Sequence, residues 1–316
     1  MRIVFCGDTF PDAPEYLRRA LPEELGDELI VWSDKDLESV PCNVDVLIPK
    51  MQRVDASLMD ASGARMIQQW GAGLEGVDFA AAKARGIIVA NLSASGGNAD
   101  SVAEHAILLT LALLRKLPLA QSNLHIGALG APTGKMLAGR TVTIYGLGAV
   151  ALPIAERLRT FRVRLFGITR EPTLAKVKQF GLEACFSIEN RQACLRETDI
   201  LIVCVRLTGQ TRDAISTSEL SLLPKGALLV NIARGGVVNH QALLRALESG
   251  HLGGVGLDVF WKEPVDVNDP ILRFQNVIAT PHIAGVTSES MSDIAVGVAN
   301  NVHSLRNGKM ILNRVV

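Results

Sequence analysis

The sequence carries no surplus of charge of either sign: 32 Lys and Arg stand against 32 Asp and Glu in 316 residues. Nucleic-acid binders use a cation excess to displace counterions from phosphate, so that class of partner is set aside. The five cysteines (Cys6, Cys42, Cys185, Cys194 and Cys204) are odd in number, scattered and without Cys-x-x-Cys spacing. A disulfide framework or a structural zinc site needs regular spacing, so neither is expected and a reducing, cytoplasmic setting fits. Long apolar runs are missing too. Ala106 to Leu114, interrupted by Thr110, is half the roughly 20 residues that span a bilayer. Gly7-Asp8 ends the amino-terminal run Ile3–Cys6 before a signal-peptide core forms. No membrane partner is expected.

What the chain does have is apolar residues at 48% and a length suited to two domains. Short β-rich runs alternate with helical patterns throughout, the signature of α/β folds with parallel sheets. Strands are expected at Ile3–Cys6, Val44–Ile48, Met66–Gln68 and Ile87–Ala90, with a glycine-rich turn at Trp70–Gly76. A helix from Asn98 to Leu117 is apolar nearly all round and is expected to be buried between domains or between subunits. Residues 119 to 139 read as connection. Six further strands follow: Val142–Tyr145, Arg164–Ile168, Ile200–Val205, Leu228–Ile232, Val255–Val259 and Val277–Ala279. Six strands with intervening helices make one dinucleotide-type domain.

Gly146-Leu147-Gly148-Ala149-Val150-Ala151 follows a strand and opens a helix. In such a loop the first glycine makes the turn and the second admits a pyrophosphate. The third position must be small for helix and strand to pack, and the amides of Ala149 and Val150 face the phosphates. About 20 residues on, an NAD site usually carries an acidic residue. Here Thr169 occupies that place and Arg170 follows. With no anion to repel a 2′-phosphate and a cation to pair with it, NADP(H) is favoured over NAD(H). The other reading has Arg170 lying over the adenine of either cofactor.

Three later segments each begin where a strand ends: Asn231–Gly236, Gly256–Phe260 running to Glu263-Pro264, and Thr280–Gly285. Ligands of open α/β sheets bind beyond the carboxyl ends of the strands. Arg234, Glu263 and His282 delivered there supply an anion clamp, a carboxylate partner and an acid–base group. Lys50, after a first-domain strand, either meets the far end of a substrate or is a solvated lysine. Trp261, between Asp258 and Glu263, is the tryptophan expected nearest to substrate.

On these segments, together with Gly71–Asp78 and Asn98–His105, the chain resembles the D-isomer-specific 2-hydroxyacid dehydrogenases. Glyoxylate/hydroxypyruvate reductases and D-lactate, D-glycerate and phosphoglycerate dehydrogenases belong to that family. The resemblance runs nearly the whole length and implies two Rossmann-like, doubly wound parallel-sheet domains. Residues 1–98 with 288–316 would form a discontinuous, flavodoxin-like substrate domain, and 99–287 an inserted NAD(P)-binding domain. The cleft between them would hold a small 2-keto or 2-hydroxy acid, and the protein would be a homodimer. By the same resemblance His282 is the general acid–base, Glu263 its partner, and Arg234 the grip on the substrate carboxylate. The Ala72 and Gly73 amides would bind that carboxylate as well. Ala233, Asp258 and Gly285 are expected near the nicotinamide, and Val205 near the adenosine. Arg206 stands in a stretch where the family often has Pro, and would add a second cation beside a 2′-phosphate. Glu75 replaces a common Asp, with little chemical effect expected.

The expected activity is hydride transfer between NAD(P)H and a short 2-keto acid, glyoxylate or hydroxypyruvate being favoured. Two other readings stay open. One is an NAD-dependent dehydrogenase for a larger or phosphorylated acid. The other is a nucleotide-sensing, corepressor-like binding protein.

Overall fold

The computed structural model describes residues 1–33, 39–92 and 97–316. These form two compact units, Met1–Asn98 with Thr287–Val316, and Ala99–Val286. Each is built on one parallel sheet.

In the first unit the strands are β1 (Arg2–Cys6), β2 (Glu28–Trp32), β3 (Val46–Ile48), β4 (Met66–Gln68) and β5 (Ile88–Ala90). They lie in the order β2-β1-β3-β4-β5, the flavodoxin-like arrangement. Ile3, Val4, Phe5 and Cys6 are fully buried, as expected of a strand covered on both faces. The helices of this unit are α1 (Ala13–Ala20), α2 (Ala56–Ser62) and α3 (Phe79–Ala84). Asp55 and Asp78 cap α2 and α3 by accepting from the amides of Leu58 and Ala81. The chain leaves through α4 (Gly97–Leu114) and returns at the carboxyl-terminal helix (Ser288–Arg306), whose Met291, Ile294, Ala295, Val298 and Val302 share one core with Phe5, Ile48 and Trp70.

The second unit continues with α5 (Leu117–His125), β6 (Thr141–Tyr145), α6 (Ala151–Thr160), β7 (Arg164–Ile168), α7 (Leu174–Phe180), β8 (Ala184–Phe186) and α8 (Arg191–Leu195). It is completed by β9 (Ile200–Val203), α9 (Thr217–Leu220), β10 (Ala227–Asn231), α10 (His240–Glu248), β11 (Leu252–Leu257) and β12 (Val277–Ala279); the returning carboxyl-terminal helix is α11. The sheet order is β12-β11-β10-β9-β6-β7-β8, the doubly wound dinucleotide order extended by one strand. The strand order switches direction between β6 and β9, and because every pair is parallel the loops after β6, β9, β10, β11 and β12 share one edge.

Two expectations need correction. Residues 119–139 are not all connection, because α5 occupies Leu117–His125 with Pro118 in its first turn, where a missing N–H costs nothing. The sheets have five and seven strands because β2 and β8 escaped the pattern; β8 is only partly buried, so its apolar signal is weak. Within its own chain α4 buries Ala106 and Leu109 and leaves Leu108 55% exposed. Its buried side sits close to β11 because that strand offers glycine. A Cβ on Gly256 would lie 3.1 Å from Leu109 Cβ, and one on Gly254 3.1 Å from Leu113 Cδ2.

Asn301 ties the carboxyl-terminal segment to the first sheet. Fully buried, its amide donates to Gln68 Oε1 at 2.8 Å and to the Leu312 carbonyl at 3.1 Å, and its oxygen accepts from the Leu312 amide at 2.9 Å. Asn301→Ala leaves the buried Gln68 oxygen without its donor and frees the Leu312 backbone, at a cost of about 1–3 kcal/mol. We expect a lower thermal midpoint by circular dichroism; an unchanged midpoint would refute this role.

Candidate active site

The loop after β6 has the features a phosphate needs. Gly146 has φ +102°, and a Cβ on it would lie 2.9 Å from the backbone of Val205, so only glycine lets the two loops touch. Gly148 faces open space, with no atom within 4 Å of where a Cβ would be. Ala151 is fully buried at the start of α6. The amides of Gly148, Ala149 and Val150 precede the helix and have no backbone acceptor among the described residues. Free amides at the positive end of a helix suit a pyrophosphate.

Thr169 follows the last residue of β7 and is half-buried, with exposed Arg170 next to it. Sequence reasoning missed the third group here, Lys176 on α7. Its Nζ donates to Thr169 Oγ1 at 3.3 Å and to the Glu171 carbonyl at 2.8 Å. The only sequence signal was a lysine in the first turn of the next helix, whose proximity to Thr169 requires the βα turn to be known. Arg206 is exposed after β9, beyond half-buried Val205. Burial pushes the Cys204 thiol up to about 12, so it is no nucleophile.

Arg234, Glu263 and His282 are all delivered at the ends of neighbouring strands β10, β11 and β12. Asn231, at the end of β10 and fully buried, shapes the first turn. Its amide donates to the Arg234 carbonyl at 3.0 Å, and its oxygen accepts from the Ala233 amide at 3.0 Å. The guanidinium of Arg234 donates to the Ala233 carbonyl at 2.8 Å. At Gly235 a Cβ would fall 2.1 Å from the carbonyl carbon of Phe260. Glycine there is what lets the Arg234 turn lie against the segment that carries Glu263.

His282 Nδ1 lies 2.7 Å from Glu263 Oε2, and Glu263 Oε1 accepts the Phe260 amide at 2.8 Å. Burial of Glu263 opposes its ionisation, but the His282 hydrogen bond and charge, the Phe260 amide and the Arg234 charge outweigh it. The carboxyl is held below its ordinary value of 4.5. An ionised Glu263 can only accept, so Nδ1 carries the proton between them. His282 itself has φ +56°, a left-handed conformation costing a non-glycine residue about 1–2 kcal/mol. Asp258, 1% exposed, holds it there. Its carboxylate accepts the amides of Ile283 and Ala284 at 2.8 and 2.9 Å, and its carbonyl accepts the His282 amide at 2.9 Å. Gly285, half-buried, follows in the same turn.

The Trp261 indole N–H donates to the Val238 carbonyl at 2.5 Å, and its ring lies 4.3 Å from that of His240 between centroids, tilted by 50°. In the first unit, the loop after β4 is pinned by Asn91 donating to the Ala72 carbonyl at 2.7 Å. The amides of Ala72 and Gly73 have no backbone acceptor among the described residues. Lys50 is not solvated. It is 5% exposed, donates to the Thr9 carbonyl, and sits 5.3 Å from the centre of the Phe5 ring; burial depresses its pKa. A surface hollow of about 580 Å³ also lies on this unit, around Ile88, Leu305 and Lys309, away from the carboxyl ends of the strands. Among the described residues there is no helix long and apolar enough to cross a membrane, and no cluster of His, Cys, Asp or Glu able to hold a metal.

Fold and site together define a nucleotide-binding α/β protein with an Arg, a Glu–His pair and a phosphate loop at one sheet edge. Residues 107–284 match the description "D-isomer specific 2-hydroxyacid dehydrogenase, NAD binding domain". The chain belongs to the D-isomer-specific 2-hydroxyacid dehydrogenase family. Over 99% of its length it is 31% identical to a glyoxylate reductase of Aeropyrum pernix, covering 95% of that protein. It is also 31% identical, over its whole length, to a D-3-phosphoglycerate dehydrogenase of Archaeoglobus fulgidus, but spans only 59% of that relative. Among solved structures, the NADPH-dependent glyoxylate/hydroxypyruvate reductase of Sinorhizobium meliloti, in complex with NADP and malonate, superposes with a TM-score of 0.84. Identity to it is 31%, with 100% of this chain and 96% of that one covered.

The depressed carboxyl of Glu263 gives a testable pH dependence. Its contribution to stability is present above pH 4.5 and is lost as pH falls through the lower folded value. Acid denaturation of wild type should therefore begin as pH drops below about 4.5, and Glu263→Gln should flatten that limb. Identical acid limbs for the two proteins would contradict the ionised pair.

Proposed function

We propose that this protein is a reductase that moves a hydride from a nicotinamide cofactor to a short 2-keto acid of the glyoxylate/hydroxypyruvate type, and runs the reverse on the D-2-hydroxy acid. The observation that carries the reading is the His282–Glu263 pair at 2.7 Å, on the strand end next to the one that presents Arg234. A pure nucleotide sensor has no use for an oriented acid–base pair.

The cofactor supplies the hydride. Gly146, Gly148, Ala149 and Val150 would hold its pyrophosphate, Val205 its adenosine side, and Ala233, Asp258 and Gly285 the region of the nicotinamide. Arg234 would grip the carboxylate in a charge-assisted, two-pronged contact and polarise the adjacent carbonyl, with the Ala72 and Gly73 amides as further donors. His282 Nε2 would give its proton to the keto oxygen as the hydride arrives, while Glu263 stabilises the charged ring and fixes its orientation. Lys50, as a buried cation, is reserved for an anionic far end of a larger substrate.

Lys176 beside Thr169, with Arg170 next in sequence and Arg206 exposed after β9, favours NADP(H): these cations would pair with a 2′-phosphate, and position 169 has no carboxylate to repel it. A homodimer is part of the proposal, since Leu117, Leu124, Ile126, Leu129 and Met136 are exposed in and after α5, an apolar patch that suits a subunit contact. The five cysteines form no disulfide with one another, which suits the cytoplasm. The phosphoglycerate dehydrogenase relatives support a second reading, an NAD-linked enzyme for a phosphorylated acid.

Steady-state loss of reduced-cofactor absorbance tests these together, with NADPH and NADH against glyoxylate, hydroxypyruvate, pyruvate and a phosphorylated 2-keto acid. NADPH with a short acid should be fastest. Faster NADH turnover would discard the cofactor assignment, and silence with every acid despite tight cofactor binding would leave the sensor. His282→Ala should lower kcat by about 10²–10⁴ with cofactor affinity kept; near-normal turnover would remove His282 from the chemistry. Lys176→Met should reduce the NADPH-over-NADH preference about tenfold, the scale of one charge-assisted hydrogen bond; an unaltered ratio would exclude Lys176.

A further inference from the structure

The strained turn at His282 is supported from behind by α4, through a hydrogen-bonded line that ends at Asp258. Thr280 Oγ1 lies 2.7 Å from Asp258 Oδ1, and His105 Nε2 lies 2.8 Å from Thr280 Oγ1. His105 Nε2 is 3.5 Å from Asp258 Oδ1 itself, and the side chains of His105 and Asp258 are 10% and 2% exposed. The direction of each bond follows from donor counting. Asp258 already accepts the amides of Ile283 and Ala284, so it acts as an acceptor, and the single hydroxyl proton of Thr280 points to it. That leaves Thr280 Oγ1 only as an acceptor towards His105, which must therefore carry a proton on Nε2.

We propose that His105, acting through Thr280 and Asp258, is a positioning residue for the reaction: it holds Asp258 oriented so that the carboxylate keeps the His282–Ala284 turn in its left-handed conformation. The inference rests on the reading of His282 as the acid–base group. His105 touches neither reacting atom nor cofactor in this scheme. It acts by keeping Thr280 from turning its hydroxyl proton elsewhere, such as to the Leu257 carbonyl 3.4 Å away. Asp258 with one bond fewer can rotate, and each of the two amides it holds belongs to a residue next to, or one beyond, His282. Displacement of a catalytic group by about an ångström is enough to cost up to 10² in rate.

The test uses paired substitutions that remove or restore each bond at nearly constant shape. Thr280→Val deletes the hydroxyl and Thr280→Ser keeps it. His105→Leu deletes the donor, and His105→Gln places an amide N–H near the position of Nε2. We expect kcat for 2-keto acid reduction to fall about tenfold or more in Thr280→Val and His105→Leu, with KM for acid and cofactor changed less than about threefold. Thr280→Ser and His105→Gln should recover most of the loss.

A second readout does not need turnover: the rate at which diethyl pyrocarbonate modifies His282, followed by peptide mass spectrometry. It should rise severalfold in the two deletion variants and return to the wild-type rate in the two conservative ones. Unchanged modification and unchanged kcat in Thr280→Val and His105→Leu would overturn the proposal. So would losses that the conservative variants fail to rescue while thermal midpoints fall in step, since that pattern is a packing defect. If wild type turns over no acid at all, the functional reading fails, and the modification rates alone then decide whether His105 supports the turn.

Discussion

The buried carboxylate of Asp258 is the point on which the candidate site depends. A histidine in left-handed backbone would relax to an ordinary conformation if released. Asp258 prevents this by taking up the amides of Ile283 and Ala284 while its own carbonyl receives that of His282. The turn then aims the imidazole back at Glu263, on the segment that follows β11. Geometry and charge reinforce each other, because the bond from His282 is part of what keeps buried Glu263 ionised.

The fold makes this possible by bringing unrelated stretches of chain to one edge. Parallel strands put all their carboxyl ends on the same side, so β10, β11 and β12 deliver Arg234, Glu263 and His282 as neighbours despite their separation in sequence. Glycine enables the closest approaches. Gly235 admits the carbonyl of Phe260, Gly146 admits Val205, and Gly254 and Gly256 admit α4. In each case a Cβ would collide with, or crowd, atoms that belong to another element. These positions thus connect the packing of the sheet to the placement of the functional groups.

Much of this was legible in the residues. Strands that are buried on both faces read as apolar, β-branched runs, so β1, β6, β9 and β10 were visible, whereas the partly exposed edge strands β2 and β8 were not. Pro118 is as comfortable in the first turn of a new helix as beyond the end of an old one, and α5 begins there. Lys50 read equally well as a solvated residue until its burial against Phe5 and the Thr9 carbonyl was seen.

The available chemistry can be read from the residues alone: a glycine-rich turn between strand and helix, no acid at position 169 after β7, and one Arg, Glu and His at strand ends. Local rules suffice for these, since turn glycines, helix caps and the period of a buried strand act over a few residues. Tertiary structure alone decided which groups meet. Lys176 reaches Thr169 only once a βα turn has folded back, and His105 reaches Thr280 across 175 residues of sequence. No local pattern encodes such contacts, because they arise from the stacking of a helix on a sheet whose strands are far apart in the chain.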